Sequence, residues 1–418
     1  MYLSHKPKIF YGYWILVAAF LCLFIWAGSG YFGFSLFVTS LEADFGWSRG
    51  EIMAAFTIFY LVQGMASPFI GRVVDRYGVR GVISVGAFIT GLGFVLLSLM
   101  SKIWYFYLGW AVVGAGMAAM GTVPTSAAVS NWFKKRRGIA IGILTIGSGA
   151  GGFALTPLIG GYLIPHFGWR MSYLVLALIT CVFTIPLALL VMRTKPADMG
   201  LYPDGIKAPE TVAAAETLRL AIDGLSLKAA LTTSALWLIG ISFLTSALGR
   251  NAILQNQVPY LEDIGFPIAT AATALGIVAL GVAISRLVFG WLCDIIQEKY
   301  IWCICLGLHL VSIATLMNVG PASPVALIWL YAATMGLGGG GWLPSLLMLT
   351  SATFGLASYG TLFGMLSFLQ SIGIAAGPLI AGYMYDVMNT YHWVFILSLV
   401  LCAVAIPAIL AVRRPKSP

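Results

Sequence analysis

The chain has 418 residues, of which 60% are hydrophobic and only 9% are charged. Because ordinary soluble domains carry about 25% charged residues, this composition excludes a soluble or disordered protein and indicates one that lies within a lipid bilayer. The net charge of +9 does not by itself indicate a nucleic-acid partner, because the basic residues sort by side of the membrane.

The apolar runs are each about 20 residues long, the length that an α-helix needs to cross a bilayer. They lack the alternating polarity of barrel strands, so helices are the predicted spanning elements. The sequence therefore predicts an all-α membrane protein with twelve transmembrane helices in two six-helix halves. The predicted spans are 13–37, 50–71, 81–100, 104–129, 139–163, 171–192, 236–258, 269–291, 300–318, 325–349, 361–384 and 392–412.

The interval between the sixth and seventh spans is the one shift in composition, since it is rich in charge and carries three prolines. Near its end, Ser226 either caps a short helix on the membrane surface or belongs to a flexible tether. We predict a first half at 1–192, a linker at 193–234 and a second half at 235–418.

The basic residues fall mostly on one side of the predicted membrane. The opposite loops hold only Arg49, Lys102 and Arg170. Because loops rich in lysine and arginine stay in the cytoplasm, both termini and the linker are predicted to be cytoplasmic, in a multi-pass protein of the plasma (inner) membrane. The first 12 residues contain no small-residue cleavage site before a full-length span, so no removable signal peptide is expected.

The two halves repeat one another. Pro157–Tyr162 (Pro-Leu-Ile-Gly-Gly-Tyr) recurs as Pro378–Tyr383 (Pro-Leu-Ile-Ala-Gly-Tyr), and the pair Gly121 and Pro124 has counterparts at nearly the same separation in the second half. A duplicated bundle of membrane spans is typical of transporters whose halves are related by an axis along the membrane normal. The repeat therefore predicts pseudo-symmetric halves around a shared cavity.

The segment 71–80 reads Gly-Arg-Val-Val-Asp-Arg-Tyr-Gly-Val-Arg and joins the second and third spans. Gly78 permits a positive φ in a tight turn, and Asp75 can accept from backbone amides or pair with a cation. The pattern resembles the GxxxDRxGxR signature of the major facilitator superfamily, which implies a latch on the cytoplasmic face. Its residues would be Gly71, Asp75, Arg76, Gly78 and Arg80, with Asp294 in a partial second-half copy that lacks the arginine and second glycine.

Three further stretches narrow the resemblance, namely Phe45–Ile52, Asn131–Ala140 and Asp198–Gly205. With them, the chain is similar over nearly its whole length to the monocarboxylate porter and oxalate–formate antiporter group. These loops mark lineage rather than substrate. The resemblance implies secondary transport of a small carboxylate.

Arg286 is a cation inside the eighth predicted span, four residues before Gly290. A charge at a helix centre costs about 2.5 to 3.5 kcal/mol on insertion scales, and a guanidinium can hold a carboxylate through two parallel hydrogen bonds. Alternatively, Arg286 extends to the membrane surface, which lies about one turn away. Arg286 also matches the helix-8 arginine of the monocarboxylate porters, and this resemblance implies that it binds the substrate carboxylate.

The chain departs from that group at three places. Val282 stands one turn before Arg286, where several members carry an aspartate, so a proton relay through that acid is not expected. The first helix lacks the lysine of some members and offers Ser29, Tyr31 and Ser35. The eleventh helix lacks the lysine of the oxalate exchanger and offers Ser367, Gln370 and Ser371. A two-cation oxalate site of that kind is therefore not reproduced.

Arg250 is the second cation inside a predicted span. It either contacts the anion, or the polar residues around it break the seventh helix and leave it in an outer vestibule. Hydroxyl and indole groups near the prolines of helices 4 and 10 either line the cavity or only satisfy carbonyls freed by kinks. The candidate substrate-binding residues are Arg286, Arg250, Tyr31, Thr125, Trp342 and Gln370.

All 14 acidic residues fall in predicted loops, the linker or span ends. A pump for cations would normally place an acid in its cavity, so an organic anion is the expected cargo. We expect proton-coupled, alternating-access transport of a small monocarboxylate such as lactate or pyruvate, by a monomer. The alternatives are a dicarboxylate or mixed carboxylate exchanger, favoured if Arg250 faces the cavity, an efflux transporter of amphipathic compounds, and a membrane sensor.

Neither catalysis nor a cofactor is expected. The four histidines do not group with other ligands, and no nucleophile, base and orienting group occur together. The six cysteines lie in or beside apolar runs without a CxxC pair, which is typical of packing residues.

Overall fold

The computed structural model describes residues 10–134, 136–205, 227–293, 295–355 and 359–413 of the chain. These residues form eleven continuous helical stretches that are long and apolar enough to span a membrane. The fifth stretch, Gly138–Leu190, is interrupted at Gly168, whose φ of 74° and ψ of 167° are not helical. It therefore supplies two crossings, and the prediction of twelve transmembrane helices is confirmed.

We number the crossings α1 to α12. They are α1 (Gly12–Phe45), α2 (Arg49–Tyr77), α3 (Val79–Ser98), α4 (Ile103–Trp132), α5 (138–167), α6 (169–190), α7 (Ser234–Asp263), α8 (Ile268–Leu292), α9 (Glu298–Met317), α10 (Val325–Phe354), α11 (Tyr359–Met388) and α12 (His392–Leu410). A short helix, Leu227–Leu231, precedes α7 as one of the two linker interpretations predicts, although Ser226 lies outside the described residues.

We call the side at which residues 193–205 and 227–233 lie the linker face and the opposite side the far face. The turn between α1 and α2 lies at the far face, where Gly46 ends α1 in the left-handed conformation with φ 66°. Ser48 then caps α2, accepting from the backbone of Glu51, whose carboxylate accepts from the backbone of Ser48. This capping box makes Arg49 the first residue of α2.

Several spans contain breaks that the apolar pattern alone does not reveal. In α1, a π-helical segment at Ala27–Tyr31 and a 3-10 turn at Phe34–Phe37 separate two α-helical parts. A second π-helical segment, Pro157–Leu163, coincides with the first copy of the sequence repeat. Because such segments add a residue to a turn, they change which side chains face the neighbouring helices.

Three apolar cores hold the helices together. The core nearer the far face joins both halves, with Phe37 and Leu275 among its fully buried members. The other two lie nearer the linker face, one within the first half around Trp132 and one within the second half around Trp302. The halves are thus packed against each other at the far face and separately packed at the linker face.

The glycines of α2 and α11 show the same asymmetry. At the far face, a Cβ on Gly50 would lie 2.7 Å from an Asp386 carboxylate oxygen, and one on Gly382 would lie 2.9 Å from the Arg49 carbonyl oxygen. Nearer the linker face, a Cβ on Gly71 or Gly364 would meet nothing within 4 Å. The space between the halves is therefore closed at the far face and open at the linker face.

The start of the linker is bound to the first half. Trp132 donates its indole N–H to the Arg193 carbonyl at 3.0 Å, and Asn131 donates to the Thr194 carbonyl at 3.0 Å. The Thr194 hydroxyl accepts from the backbone of Val79 at 3.0 Å, directly after the turn at Gly78. Hydrogen bonds from the ends of α3 and α4 thus fix the point at which the linker leaves the bundle.

Candidate functional site

A cavity of about 360 Å³ lies between the two halves. Its wall combines apolar and aromatic side chains with two arginines, Arg250 and Arg286, and with the phenols of Tyr31 and Tyr60. None of the described residues that line it is acidic. The cavity is therefore cationic and has the mixed wall that is typical of small-molecule sites.

Arg286 of α8 reaches across the cavity to α5 in the first half. Its Nη1 donates to the Thr145 carbonyl oxygen at 2.6 Å and to the Ser148 hydroxyl at 2.8 Å. Its Nε is buried and has no hydrogen-bond partner among the described residues. Arg286 therefore lines the cavity and keeps one buried N–H without a partner among the described residues, rather than extending to the membrane surface.

The same chain shows how such an edge holds a carboxylate. At the far face, Arg49 binds Glu42 through Nε at 2.6 Å and through Nη2 at 3.1 Å. Nε and Nη2 are the two nitrogens of the guanidinium edge that remains in Arg286 once Nη1 is bound to α5. Because a guanidinium and a carboxylate are both planar, this edge can take an anion through two parallel hydrogen bonds.

Arg250 also faces the cavity. The helix α7 that carries it is continuous from Ser234 to Asp263, so the predicted break and outer vestibule are not found. The residue is 9% exposed, and no described residue forms an ion pair or hydrogen bond with its guanidinium. Gly339 of α10 leaves room for it, since a Cβ there would lie 3.3 Å from Arg250 Nη1.

Tyr31 lies at the end of the π-helical segment of α1 and joins the halves beside the cavity. Its hydroxyl donates to Asn251 Oδ1 at 2.7 Å, and its carbonyl oxygen accepts from Gln255 Nε2 at 3.0 Å. Both partners are on α7. The polar residues Asn251 and Gln255 thus form a contact between α1 and α7, and they do not break α7.

The remaining candidates divide between the cavity wall and the protein interior. Trp342 of α10 lines the cavity. Thr125 and Gln370 are buried away from the described cavity wall, at 0% and 3% exposure. The Thr125 hydroxyl donates to the Gly121 carbonyl at 2.7 Å, at the point where α4 is interrupted. Its hydroxyl therefore satisfies a carbonyl at the break, the alternative that the sequence left open.

The predicted latch lies at the open linker face. Gly78 has the expected positive φ of 79°, and Arg80 donates from Nε to the Met192 carbonyl at 3.3 Å, within the first half. Asp75 and Arg76 are exposed, and Gly71 faces open space. Asp294 lies outside the described residues.

A network at the far face was not predicted. Arg49, which the sequence places only in a loop, is 4% exposed in its side chain and binds Asp263 of α7 as well as Glu42. Its Nη1 also donates to the Tyr391 hydroxyl at 2.8 Å. The backbone N–H groups of Arg49 and Gly50 donate to the Asp386 carboxylate at 2.9 and 2.7 Å. The available signal was the placement of acids at the far ends of α1, α7 and α11.

The chain that forms these twelve crossings around a central cavity also matches the sequence model of a known family. The Major Facilitator Superfamily model matches residues 15–378 and 258–418. The chain belongs to this superfamily. The described residues of this major facilitator contain no group of three or more histidine, cysteine and acidic side chains that could hold a metal ion.

Its relatives include several monocarboxylate transporters. Human (Homo sapiens) monocarboxylate transporter 11 is 28% identical over 344 residues, covering 81% of this chain and 69% of the relative. Monocarboxylate transporter 13 of Bos taurus is 24% identical over 365 residues, covering 87% and 81%. The membrane sensor protein UhpC of Salmonella typhimurium is 26% identical over 298 residues, covering 69% and 66%. The predicted resemblance to the monocarboxylate branch is thus confirmed.

Solved transporters share the fold. The nucleoside transporter NupG, in the form of a point mutant, superposes with a TM-score of 0.75 at 11% identity, covering 96% of this chain and 99% of that one. A bacterial homologue of the human lysosomal transporter Spinster, in an inward-facing and unoccupied conformation, gives a TM-score of 0.67 at 16% identity, covering 98% and 95%. These structures support the architecture and not a substrate.

Proposed function

We propose that this protein is a secondary transporter of small organic anions that moves a carboxylate across the membrane by alternating access. The observation that carries the proposal is that Arg286, which keeps an N–H without a partner among the described residues, lines a cavity whose described lining has no acidic side chain. A buried N–H without a partner is costly, and an arriving carboxylate would satisfy it. The cavity would thus favour anions by charge and carboxylates by shape.

A small monocarboxylate such as lactate or pyruvate is the leading substrate. The names of the monocarboxylate transporter relatives support this choice. Import of a bare monoanion into an inside-negative cell costs about 2.3 kcal/mol per 100 mV, and a co-transported proton would remove that cost. We therefore propose proton symport by a monomer.

The orientation follows from charge. The turns at 72–80 and 134–137 and the linker carry most of the basic residues, so the linker face would be cytoplasmic and both termini would lie inside the cell. The cavity would then be open to the cytoplasm in the conformation described here. The membrane would be the plasma (inner) membrane.

Arg250 favours a second candidate, the transport or exchange of dicarboxylates. Its guanidinium has no anionic partner among the described residues and shares one cavity with Arg286. Two cations without an acid nearby repel one another in a medium of low dielectric constant, and a substrate with two carboxylates would neutralise both. Exchange of one anion for another would also avoid the electrical cost of net anion import.

Uptake into proteoliposomes tests the proposal. Labelled pyruvate, L-lactate, oxalate and succinate would each be offered with and without an inward proton gradient. We expect gradient-stimulated uptake of monocarboxylates, and its loss in Arg286→Ala. Arg286→Lys should also fail, because an ammonium keeps the charge but lacks the planar fork.

Arg170→Gln is the matched control, because Arg170 lies off the cavity and donates to carbonyls within its own half. Proton-independent exchange of oxalate or succinate would select the second candidate. Carboxylate binding without uptake would indicate a sensor. Full activity of Arg286→Ala would overturn the assignment of the site.

A further inference from the structure

We infer that Ser148 is a positioning residue that aims the guanidinium of Arg286 at the substrate, so that the bound carboxylate is held by both halves of the protein. The inference rests on the proposed function and adds to it a residue of α5 that is not among the candidate substrate-binding residues. It concerns the hydrogen bonds that Arg286 Nη1 donates to α5, which are not the ones proposed to bind the substrate.

Three groups form a closed triangle at α5. Arg286 Nη1 donates to the Ser148 hydroxyl at 2.8 Å and to the Thr145 carbonyl at 2.6 Å, while the Ser148 hydroxyl donates to the same carbonyl at 2.8 Å. Both acceptors bind the same guanidinium nitrogen, so Nη1 is held at two points of one helix. The guanidinium is therefore anchored through one nitrogen, which restricts rotation about its last bonds.

Close packing of α5 on α8 makes this reach possible. A Cβ on Gly149 would lie 2.5 Å from both the carbonyl oxygen of Ala279 and the Cβ of Ala283. Small residues at a helix contact allow the two backbones to approach. Gly149 follows Ser148 directly, so the helices touch at the level where Arg286 binds, and the donor and its acceptors stay in register.

The anchored nitrogen restricts where the rest of the guanidinium points. With Nη1 held against α5, Nε and Nη2 form the remaining edge, and Nε has no partner among the described residues. A carboxylate on this edge would be bound by α8, and α8 would be bound by α5. The substrate and both halves would then be joined through one side chain at the depth of the cavity. That is a property a carrier needs if its occupied form is to change conformation as a unit.

Removing the Ser148 hydroxyl tests whether Ser148 positions Arg286 or only packs against its neighbours. In Ser148→Ala, Nη1 keeps only the Thr145 carbonyl, and the plane of the guanidinium is free to turn. We expect the KM for pyruvate uptake to rise about tenfold, which is the size expected for one hydrogen bond to a charged group, while the maximal rate changes less than about threefold. Ser148→Thr, which keeps the hydroxyl, should restore the KM.

Ser246→Ala is the matched control. Ser246 is buried in α7 and donates to the carbonyl three residues earlier, at 3.1 Å, as Ser148 does, but it does not bind an arginine. Binding would be followed independently by the rise in melting temperature that pyruvate causes in purified protein. We expect that rise to shrink in Ser148→Ala and to be unchanged in Ser246→Ala.

The outcomes separate the two proposals. If wild type transports no carboxylate, the proposed function fails. If wild type transports pyruvate and Arg286→Ala does not, but Ser148→Ala keeps the wild-type KM and thermal shift, the proposed function stands and Ser148 is not a positioning residue. An equal loss in Ser148→Ala and Ser148→Thr would likewise overturn the inference, since packing rather than the hydroxyl would then be responsible.

Discussion

Arg49 of α2 and Asp263 of α7 form a two-bond ion pair across the halves, with Nη1 to Oδ2 at 2.6 Å and Nη2 to Oδ1 at 2.7 Å. The guanidinium also lies 4.1 Å from the centre of the Tyr385 ring. Because the Arg49 side chain is almost fully buried, the loss of its partners would leave a desolvated charge. The far face is therefore closed by a specific polar contact in addition to the apolar core beneath it.

We expect Arg49→Gln to open the far face. Without the cation, the carboxylates of Glu42, Asp263 and Asp386 repel one another, and the closed form should lose about 3 kcal/mol relative to the open one. Spin labels at Lys102 and Val387, both exposed at the far face and in different halves, should show a new population at longer distance.

Arg170→Gln removes a far-face arginine that binds only within the first half, and its distance distribution should match wild type. Asp263→Asn should shift the distances in the same direction but less, because Glu42 and Tyr391 remain as partners of Arg49. The double variant should shift them by less than the sum, since both changes remove one contact. Unchanged distances in Arg49→Gln would show that the apolar core alone keeps the face closed.

Arg250→Gln should separate the two candidate substrate classes. If Arg250 holds a second carboxylate, its loss removes a charge-assisted hydrogen bond, and the KM for succinate or oxalate should rise about 10- to 100-fold. The KM for pyruvate should change less than about threefold. Both would be measured in the proteoliposome assay. Equal effects on the two classes would mean that Arg250 sets the general charge of the cavity rather than contacting a second anionic group.

Asp75→Asn should leave this conformation intact and slow the transport cycle. Asp75 is exposed at the open linker face, and exposed substitutions usually change stability by less than about 0.5 kcal/mol. If the latch operates, Asp75 is needed only when the linker face closes. We expect an unchanged melting temperature and reduced pyruvate exchange. Glu298→Gln, in the first turn of α9, is a control for charge at the same face. Wild-type exchange by Asp75→Asn would count against the latch.

Two glycines of α5 should respond oppositely to alanine. A Cβ on Gly151 would overlap the backbone of Phe24 in α1, whereas one on Gly142 would meet nothing within 4 Å. Gly151→Ala should destabilise the protein by about 1 to 3 kcal/mol through overpacking. Gly142→Ala should gain about 0.5 to 1 kcal/mol from helix propensity. Thermal unfolding in detergent measures both, and similar melting temperatures would contradict the packing described for α1 and α5.

The sequence was sufficient for the number and order of the spans, because burial in a bilayer imposes a length and polarity that each apolar run displays. It also placed Arg286 and Arg250 inside spans, where a charge is costly enough to indicate a function. The structure places both arginines on one cavity. The sequence did not show that Arg286 is held by α5, since the contact joins helices far apart in the chain.

Side-chain direction was harder to predict than position. Thr125 and Gln370 are in the expected helices, but a residue's direction turns by about 100° with each step along a helix, and neighbours such as Thr122 and Ser371 line the cavity instead. Arg49 was missed for another reason. Its partners come from α1, α7 and the turn after α11. They surround Arg49 only when the two halves pack against each other.

The π-helical segment Ala27–Tyr31 has a consequence for how α1 tolerates change. A deletion of one residue that restored regular α-helix would rotate everything beyond it by about 100° and shorten it by about 1.5 Å. Tyr31 would leave Asn251, and Glu42, eleven residues further on, would turn away from Arg49. One surplus residue thus sets the phase of α1 for both the cavity and the far-face ion pair, so single-residue insertions or deletions there should be far more damaging than substitutions.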